Sequence, residues 1–187
     1  MAFYTQSELE ELGFKYLGKN VKLSKLASIY NAQNIEIGDN SRIDDFCVLS
    51  AGEGGISIGR YVHIAVYTSL IGAGKIIMED YTCLSSKCAL YSSNDDYSGK
   101  FMTNPTVPSK YTNVTDAPVT IKKHSLVGAG SIILPGVTIG ECAAVGSLSL
   151  VNKNVDTGYI YVGQPAKKIM PRKRNCEQLE NELCLKS

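Results

Sequence analysis

From residue 121 onward, aliphatic side chains return at every sixth position: Ile121, Val127, Ile133, Ile139, Val145 and Val151. Glycine follows three of them, at Gly128, Gly140 and Gly146, and the fifth place of each hexad is small or β-branched: Ser125, Ser131, Val137, Ala143, Ser149. A period of six is neither the 3.6 of an α-helix nor the 2 of a strand. It is the period of a solenoid in which each hexad is a short strand plus a corner, and three hexads close an eighteen-residue coil. Every sixth side chain then points into a triangular prism, where each buried aliphatic contributes about 1.5–3 kcal/mol. Glycine and small residues take the corners, where a larger Cβ would clash or φ must be positive. The same template reads, with slips, through the first half: Ile37, Ile43, Leu49, then Ile58, Ile64, Leu70, then Ile77 and Cys83. The slips fall at Gly52, Gly54 and Gly55 and at Gly72 and Gly74, where a turn can absorb an extra residue. The period itself carries no chemistry, and a non-catalytic solenoid acting as a binding module would show it equally.

Three stretches depart from the hexads. Ser7 and Glu10 have the S-x-x-E form of a capping box and Gly13 stops the run, predicting a short helix over 7–12 that covers the N-terminal opening. Between Leu90 and Ile121 the repeat stops, and a segment with Tyr91, Tyr97, Phe101, Tyr111, paired aspartates and three prolines intervenes. That is far longer than a corner needs, and long ordered loops on rigid scaffolds carry function, so it is expected to wall a pocket and pack against a neighbouring subunit. After Pro165 the chain is basic, with Lys167, Lys168, Arg172, Lys173 and Arg174, and 175–185 predicts a short amphipathic helix around Leu179, Leu183 and Leu185. The expectation is one domain over 1–187: an N-terminal cap (1–20), first coils (21–90), a protruding loop (91–118), C-terminal coils (119–163), and a basic tail with a helix (164–187).

Composition narrows the function classes. With 187 residues and 44% apolar content the chain can bury one continuous core. Lys plus Arg (19) nearly cancel Asp plus Glu (18), which gives no sign of a nucleic-acid or membrane-surface partner. Six cysteines form no CxxC pair and only His63 and His124 are available, so no metal set is indicated. No secretory signal or membrane-spanning run is present, and the cysteines read as reduced, apolar core residues of a cytoplasmic protein.

Residues 119 to 153, VTIKKHSLVGAGSIILPGVTIGECAAVGSLSLVNK, with the tail YVGQPAKKI, resemble the hexapeptide-repeat acyltransferases of the galactoside, maltose and xenobiotic acetyltransferase branch. The likeness covers roughly residues 35 to 172. It implies an all-β, left-handed parallel β-helix, a homotrimer, acetyl-CoA as donor and three active sites between neighbouring subunits. In that family the base is a histidine at the start of the loop. This chain has Ser92-Ser93-Asn94-Asp95-Asp96 there instead, with Asp95 nearest the missing base, and a bulge expected at Lys87-Cys88 would shift that alignment by one residue. His63 lies about where the family carries an acceptor-side polar residue. By the resemblance, Ala129 and Ser147 would meet the pantetheine arm, Lys153 the phosphates, and Lys167, Lys168 and Arg172 the 3′-phosphate.

Acetyl transfer needs a base for the acceptor proton and donors for the developing oxyanion. Imidazole suits the first task, and an adjacent carboxylate can hold its tautomer. The expected catalytic group is therefore His63 with Asp95 or Asp96, meeting within the chain or across a subunit boundary, with His124 as the rival histidine. Asn94, Tyr97, Ser98 and Tyr111 are the candidate acceptor contacts. The function this implies is transfer of acetyl from acetyl-CoA to a hydroxyl or amino group of a sugar or nucleotide-linked sugar, in surface-polysaccharide biosynthesis. A xenobiotic O-acetyltransferase and a non-catalytic solenoid are the alternatives. A γ-type carbonic anhydrase shares the solenoid but needs three zinc-binding histidines.

Overall fold

The computed structural model describes residues 2–185, so Met1 of the expected cap and Lys186 and Ser187 of the expected tail lie outside it. The chain winds into a left-handed parallel β-helix with three faces. The first face stacks Tyr16–Leu17, Ile35–Ile37, Ile56–Ile58, Ile76–Met78, Val119–Ile121 and Thr138–Ile139. The second stacks Lys22–Leu23, Arg42–Ile43, His63–Ile64, Cys83–Leu84, Leu126–Val127 and Ala144–Val145, and ends in Tyr159–Gly163 with the antiparallel Ala166–Pro171. The third stacks Ser28–Tyr30, Val48–Ala51, Ser69–Gly72, Ala89–Tyr91, Ile132–Ile133 and Leu150–Val151. Coil pairs with coil in parallel, so each strand finds its hydrogen-bond partners one turn away.

The hexad residues of the second half are all in the core: Ile121, Val127, Ile133 and Ile139 are fully buried, and Val145 and Val151 nearly so. In the first half the inward set is Ile37, Ile43, Leu49, then Ile58, Ile64, Leu70, and then Met78, Leu84 and Leu90. This corrects the expected Ile77 and Cys83, which lie one place out of register on the outer surface. The reason is the turn that precedes them: Leu70 to Met78 spans two residues more than a hexad, held by Gly72 (φ 141°) and Gly74, where one extra residue was expected. The expected bulge at Lys87-Cys88 is absent for the same reason. Lys87 is a left-handed corner (φ 62°) like Phe46 and Tyr67 on the coils below, and Cys88 is buried.

A second corner column carries positive φ at Asn20, Asn40, Tyr61, Tyr81, His124 and Cys142. A left-handed non-glycine residue costs about 1–2 kcal/mol. Part of that is offset by stacking of Tyr61 on Tyr81 and of Tyr81 on His124, each at 5.1 Å between ring centroids, worth about 0.5–1.5 kcal/mol per pair.

Both expected helices form. Helix α1 covers Gln6–Glu11, and its capping box is Thr5 with Glu8, two residues before the expected Ser7 and Glu10. Thr5 wins because its backbone is extended and its hydroxyl accepts the Glu8 N–H, while Leu9 is left facing the core. Helix α2 covers Cys176–Cys184. Its leucines do not seal a face: Leu179, Leu183 and Leu185 stay exposed. Glu180 docks it instead, binding Lys123 Nζ at 2.7 Å and His124 Nε2 at 2.8 Å. Among the described residues no helix is long and apolar enough to cross a membrane.

Candidate active site

Two polar constellations stand out, on different faces. The first lies where the loop leaves the third face. Its root is a short antiparallel pair, Ser93–Asn94 against Thr115–Asp116. The pair is drawn to the coil by Ser92 Oγ donating to the Gly74 carbonyl (2.7 Å) and by Ala117 N–H donating to the Ser92 carbonyl (3.0 Å). Gly74 is required here, because a Cβ would sit 2.8–2.9 Å from the carbonyl oxygens of Ser92 and Ala117. Beside this root is a cavity of about 690 Å³. Its apolar floor is Ile132, Leu134 and Leu150, and Tyr91, Ser93, Asn94, Asp95 and Tyr97 form its polar wall. An apolar cleft with a few converging polar groups is the usual form of a small-molecule site.

The expected acceptor residues divide on this geometry. Asn94, Asp95 and Tyr97 line the cavity. Asp96 instead accepts from the Ser98 hydroxyl at 2.8 and 3.0 Å, so these two residues brace one another. Tyr111 stands at the exposed end of a short 3₁₀ turn, with Lys110 Nζ 4.7 Å from its ring centroid. Among the described residues no hydrogen bond or ion pair engages the Asp95 carboxylate, which leaves it available to take a proton from an entering amine or hydroxyl.

The second constellation is on the second face. Asp44, His63 and Cys83 come from three successive coils, and His63 pairs with Arg42 on one side and Cys83 on the other. His63 Nε2 lies 2.9 Å from Asp44 Oδ2, and its Nδ1 lies 3.9 Å from Cys83 Sγ. Arg42 Nε donates to the other Asp44 oxygen at 2.6 Å. Within one chain, therefore, the carboxylate that orients His63 is Asp44 and not Asp95 or Asp96, which are on the third face. The hydrogen bond with Cys83, and then that with Asp44, raise the His63 pKa above its ordinary value against the opposing effect of burial. Burial works to raise the Asp44 pKa, but hydrogen bonds from His63 and Arg42 outweigh it and hold the carboxyl below its usual range. Asp44 was missed in the sequence because its partner is nineteen positions away; a coil length of 20–21 residues is the signal that would have paired them.

The rival His124 is a buried corner residue committed to Glu180 and stacked on Tyr81, remote in role from an open site. For coenzyme A, Ala129 and Ser147 lie on adjacent coils that approach closely: a Cβ on Gly128 would fall 2.5 Å from Ser147 N. Ser147 and Lys153 are solvent-exposed. Lys167 is exposed, and Lys168 binds Asp156 at 2.9 Å with its ammonium 3.4 Å from the Tyr159 ring centroid. Arg172 departs from expectation. Its Nη1 donates to the carbonyls of His124 (3.0 Å), Cys142 (3.2 Å) and Ala143 (2.9 Å), which fastens the tail to the coils.

No family model matches the chain. The fold is shared with a maltose O-acetyltransferase from Clostridium difficile 630, at 20% identity and a TM-score of 0.58, over 91% of this chain and 80% of that one. Two proteins are much nearer. A dTDP-4-amino-4,6-dideoxy-D-glucose acyltransferase from Escherichia coli is 51% identical over 181 residues, 97% of this chain and 94% of the relative. AntD, an N-acyltransferase from Bacillus cereus, superposes with a TM-score of 0.95 at 48% identity over 99% of this chain and 98% of its own, in a variant complexed with dTDP-4-amino-4,6-dideoxyglucose and coenzyme A. AntD is also known in complex with dTDP and 3-hydroxybutyryl-CoA. The coils, the loop and this likeness together define the class: the chain belongs to the hexapeptide-repeat acyltransferases. It is an acyltransferase that draws its acyl group from a coenzyme A thioester.

Proposed function

We propose that this enzyme transfers an acyl group from acyl-CoA to the 4-amino group of a dTDP-linked 4-amino-4,6-dideoxyhexose. The observation that carries this reading is the 51% identity, over 97% of the chain, to a protein that acts on that sugar nucleotide. It favours N-transfer over the O-transfer left open by the sequence. The cavity at the loop root receives the amino sugar, with Asn94 and Tyr97 beside it and the apolar floor under its deoxygenated C6. The amine attacks the thioester carbonyl, Asp95 takes the proton released from nitrogen and passes it to the departing sulfur, and coenzyme A leaves as the thiol. Coenzyme A lies along the last coils by Ala129 and Ser147, with Lys153, Lys167 and Lys168 on the phosphates. Arg172 serves by holding the tail in place.

The enzyme works as a homotrimer. Support comes from the loop, where Tyr97, Phe101, Met102 and Val114 are exposed on a single chain, and from Leu126 and Ile132 on two faces of the coils. A solitary chain with this much projecting apolar surface would be prone to association. The reaction belongs in the cytoplasm, where CoA thioesters and nucleotide sugars meet, and its product suits assembly of a surface polysaccharide.

The test is release of coenzyme A thiol from acetyl-CoA, followed with dTDP-4-amino-4,6-dideoxyglucose and, in parallel, with the corresponding 4-hydroxy sugar nucleotide and the free amino sugar. Thiol release with the first alone, and an N-acetylated product by mass, is the expected result. Equal rates with the 4-hydroxy compound would overturn N-transfer, and no release above hydrolysis with the amino sugar nucleotide would overturn the acceptor.

A further inference from the structure

The Asp44–His63–Cys83 constellation is not used by the reaction just described, yet it has the form of a nucleophile with its base and the group that orients the base. Three coils supply one member each, so the spacing is fixed by the interstrand hydrogen bonds and not by a mobile loop. The tautomer follows from the partners. Asp44 is an ionised acceptor, buried and already binding Arg42, so His63 Nε2 must carry a hydrogen and donate it. That leaves the lone pair of Nδ1 directed toward the Cys83 thiol at 3.9 Å. Resting nucleophile–base contacts are commonly this loose and shorten when an electrophile arrives. Both outer members are reachable: Cys83 is half-buried, and 42% of the His63 side chain is exposed.

We propose that Cys83 is a nucleophilic thiol, with His63 as its general base and Asp44 as the positioning residue, and that it accepts acyl groups from thioesters. In the exchange, Cys83 sulfur attacks the carbonyl of acyl-CoA as its proton passes to His63 Nδ1. The tetrahedral intermediate then expels coenzyme A sulfur, which takes the proton back from the imidazolium. One thioester is made and one is broken, so no oxidant or reductant is needed, and free coenzyme A drives the step backward. The inference shares only its acyl donor with the proposed sugar transfer and is independent of the acceptor assigned there.

The other cysteines supply internal references. Cys47, Cys88 and Cys142 are buried, whereas Cys184 is more exposed than Cys83. A timed reaction of the whole protein with iodoacetamide, quenched and mapped by peptide mass, therefore separates activation from mere exposure. Cys83 is expected to label before Cys184. His63→Ala, and more mildly Asp44→Asn, should slow labelling of Cys83 by about tenfold or more while leaving Cys184 unchanged. His63→Gln gives the same reading should the alanine variant fold poorly. With acetyl-CoA alone, one acetyl group should appear on the Cys83 peptide, be removed by hydroxylamine and be lost on adding excess coenzyme A. The same acetylation should persist in Asp95→Asn, which separates it from failure of the sugar-transfer site. Labelling of Cys83 no faster than Cys184, or unaffected by His63 substitution, would overturn the relay. A relay that alkylates but never carries acetyl would overturn the acyl assignment.

Discussion

The coil wall and the projecting loop use acidic side chains in opposite ways. On the wall, Asp44 is buried and spends both oxygens, one on Arg42 and one on His63. On the loop, Asp95 faces a cavity and is engaged by no hydrogen bond or ion pair among the described residues, while its neighbour Asp96 is held by Ser98. A rigid wall can orient a group because every partner is fixed one turn above or below. A loop can leave a group unspent because no neighbouring coil supplies it with a fixed partner. The wall therefore supplies preorganisation and the loop supplies the open valence.

The largest effect that would sharpen this contrast is loss of the side chain under the wall cluster. Leu84→Ala should cost about 2–5 kcal/mol in denaturant unfolding, because Leu84 is fully buried beside Cys83. Ile77→Ala on the outer surface should cost far less, and equal losses would contradict the register. At the loop root, Gly74→Ala should cost about 1–3 kcal/mol from overpacking against the Ser92 and Ala117 carbonyls. It should also raise KM for the acceptor, since the strand carrying Asn94 and Asp95 must shift; an unchanged KM would uncouple the root from the cavity. Smaller again is Arg172→Ala, expected to cost about 1 kcal/mol by removing the guanidinium donor shared by three carbonyls. Hydrogen exchange should rise in the tail more than in the coils.

The smallest effect is on pH. Because the folded His63 pKa is raised, its contribution is fully present below the unfolded value near 6.5 and is lost as pH rises through the folded value. The melting-temperature difference between wild type and His63→Gln should therefore shrink from about pH 6 to about pH 8. A difference that grows over that interval would show that the imidazole is not charged in the folded state.

The hexads made the coils legible, since six-residue recurrence has few other physical origins and the side chains at Ile121 through Val151 all point inward. Register after Gly72 was not legible, because glycine turns absorb one residue or two with equal ease, and Ile77 and Met78 are alike in hydrophobicity. The site was legible in part. Asn94, Asp95 and Tyr97, expected from a loop placed on a rigid scaffold, line one cavity, and the comparisons with known acyltransferases bear out the donor. The Asp44–His63–Cys83 column was hidden, because residues about twenty apart become neighbours only once coil length is known. The charge of Arg172 suggested a phosphate, but not that the hairpin brings its Nη1 over the carbonyls of His124, Cys142 and Ala143.

The most direct measurement is kcat/KM for acetyl transfer to dTDP-4-amino-4,6-dideoxyglucose in Asp95→Asn and His63→Ala, side by side. If the loop carboxylate serves the acceptor, Asp95→Asn falls by about 100- to 10,000-fold, chiefly in kcat, and His63→Ala falls much less. The reverse order, with Asp95→Asn near wild type, would place the chemistry on the coil wall and contradict the account.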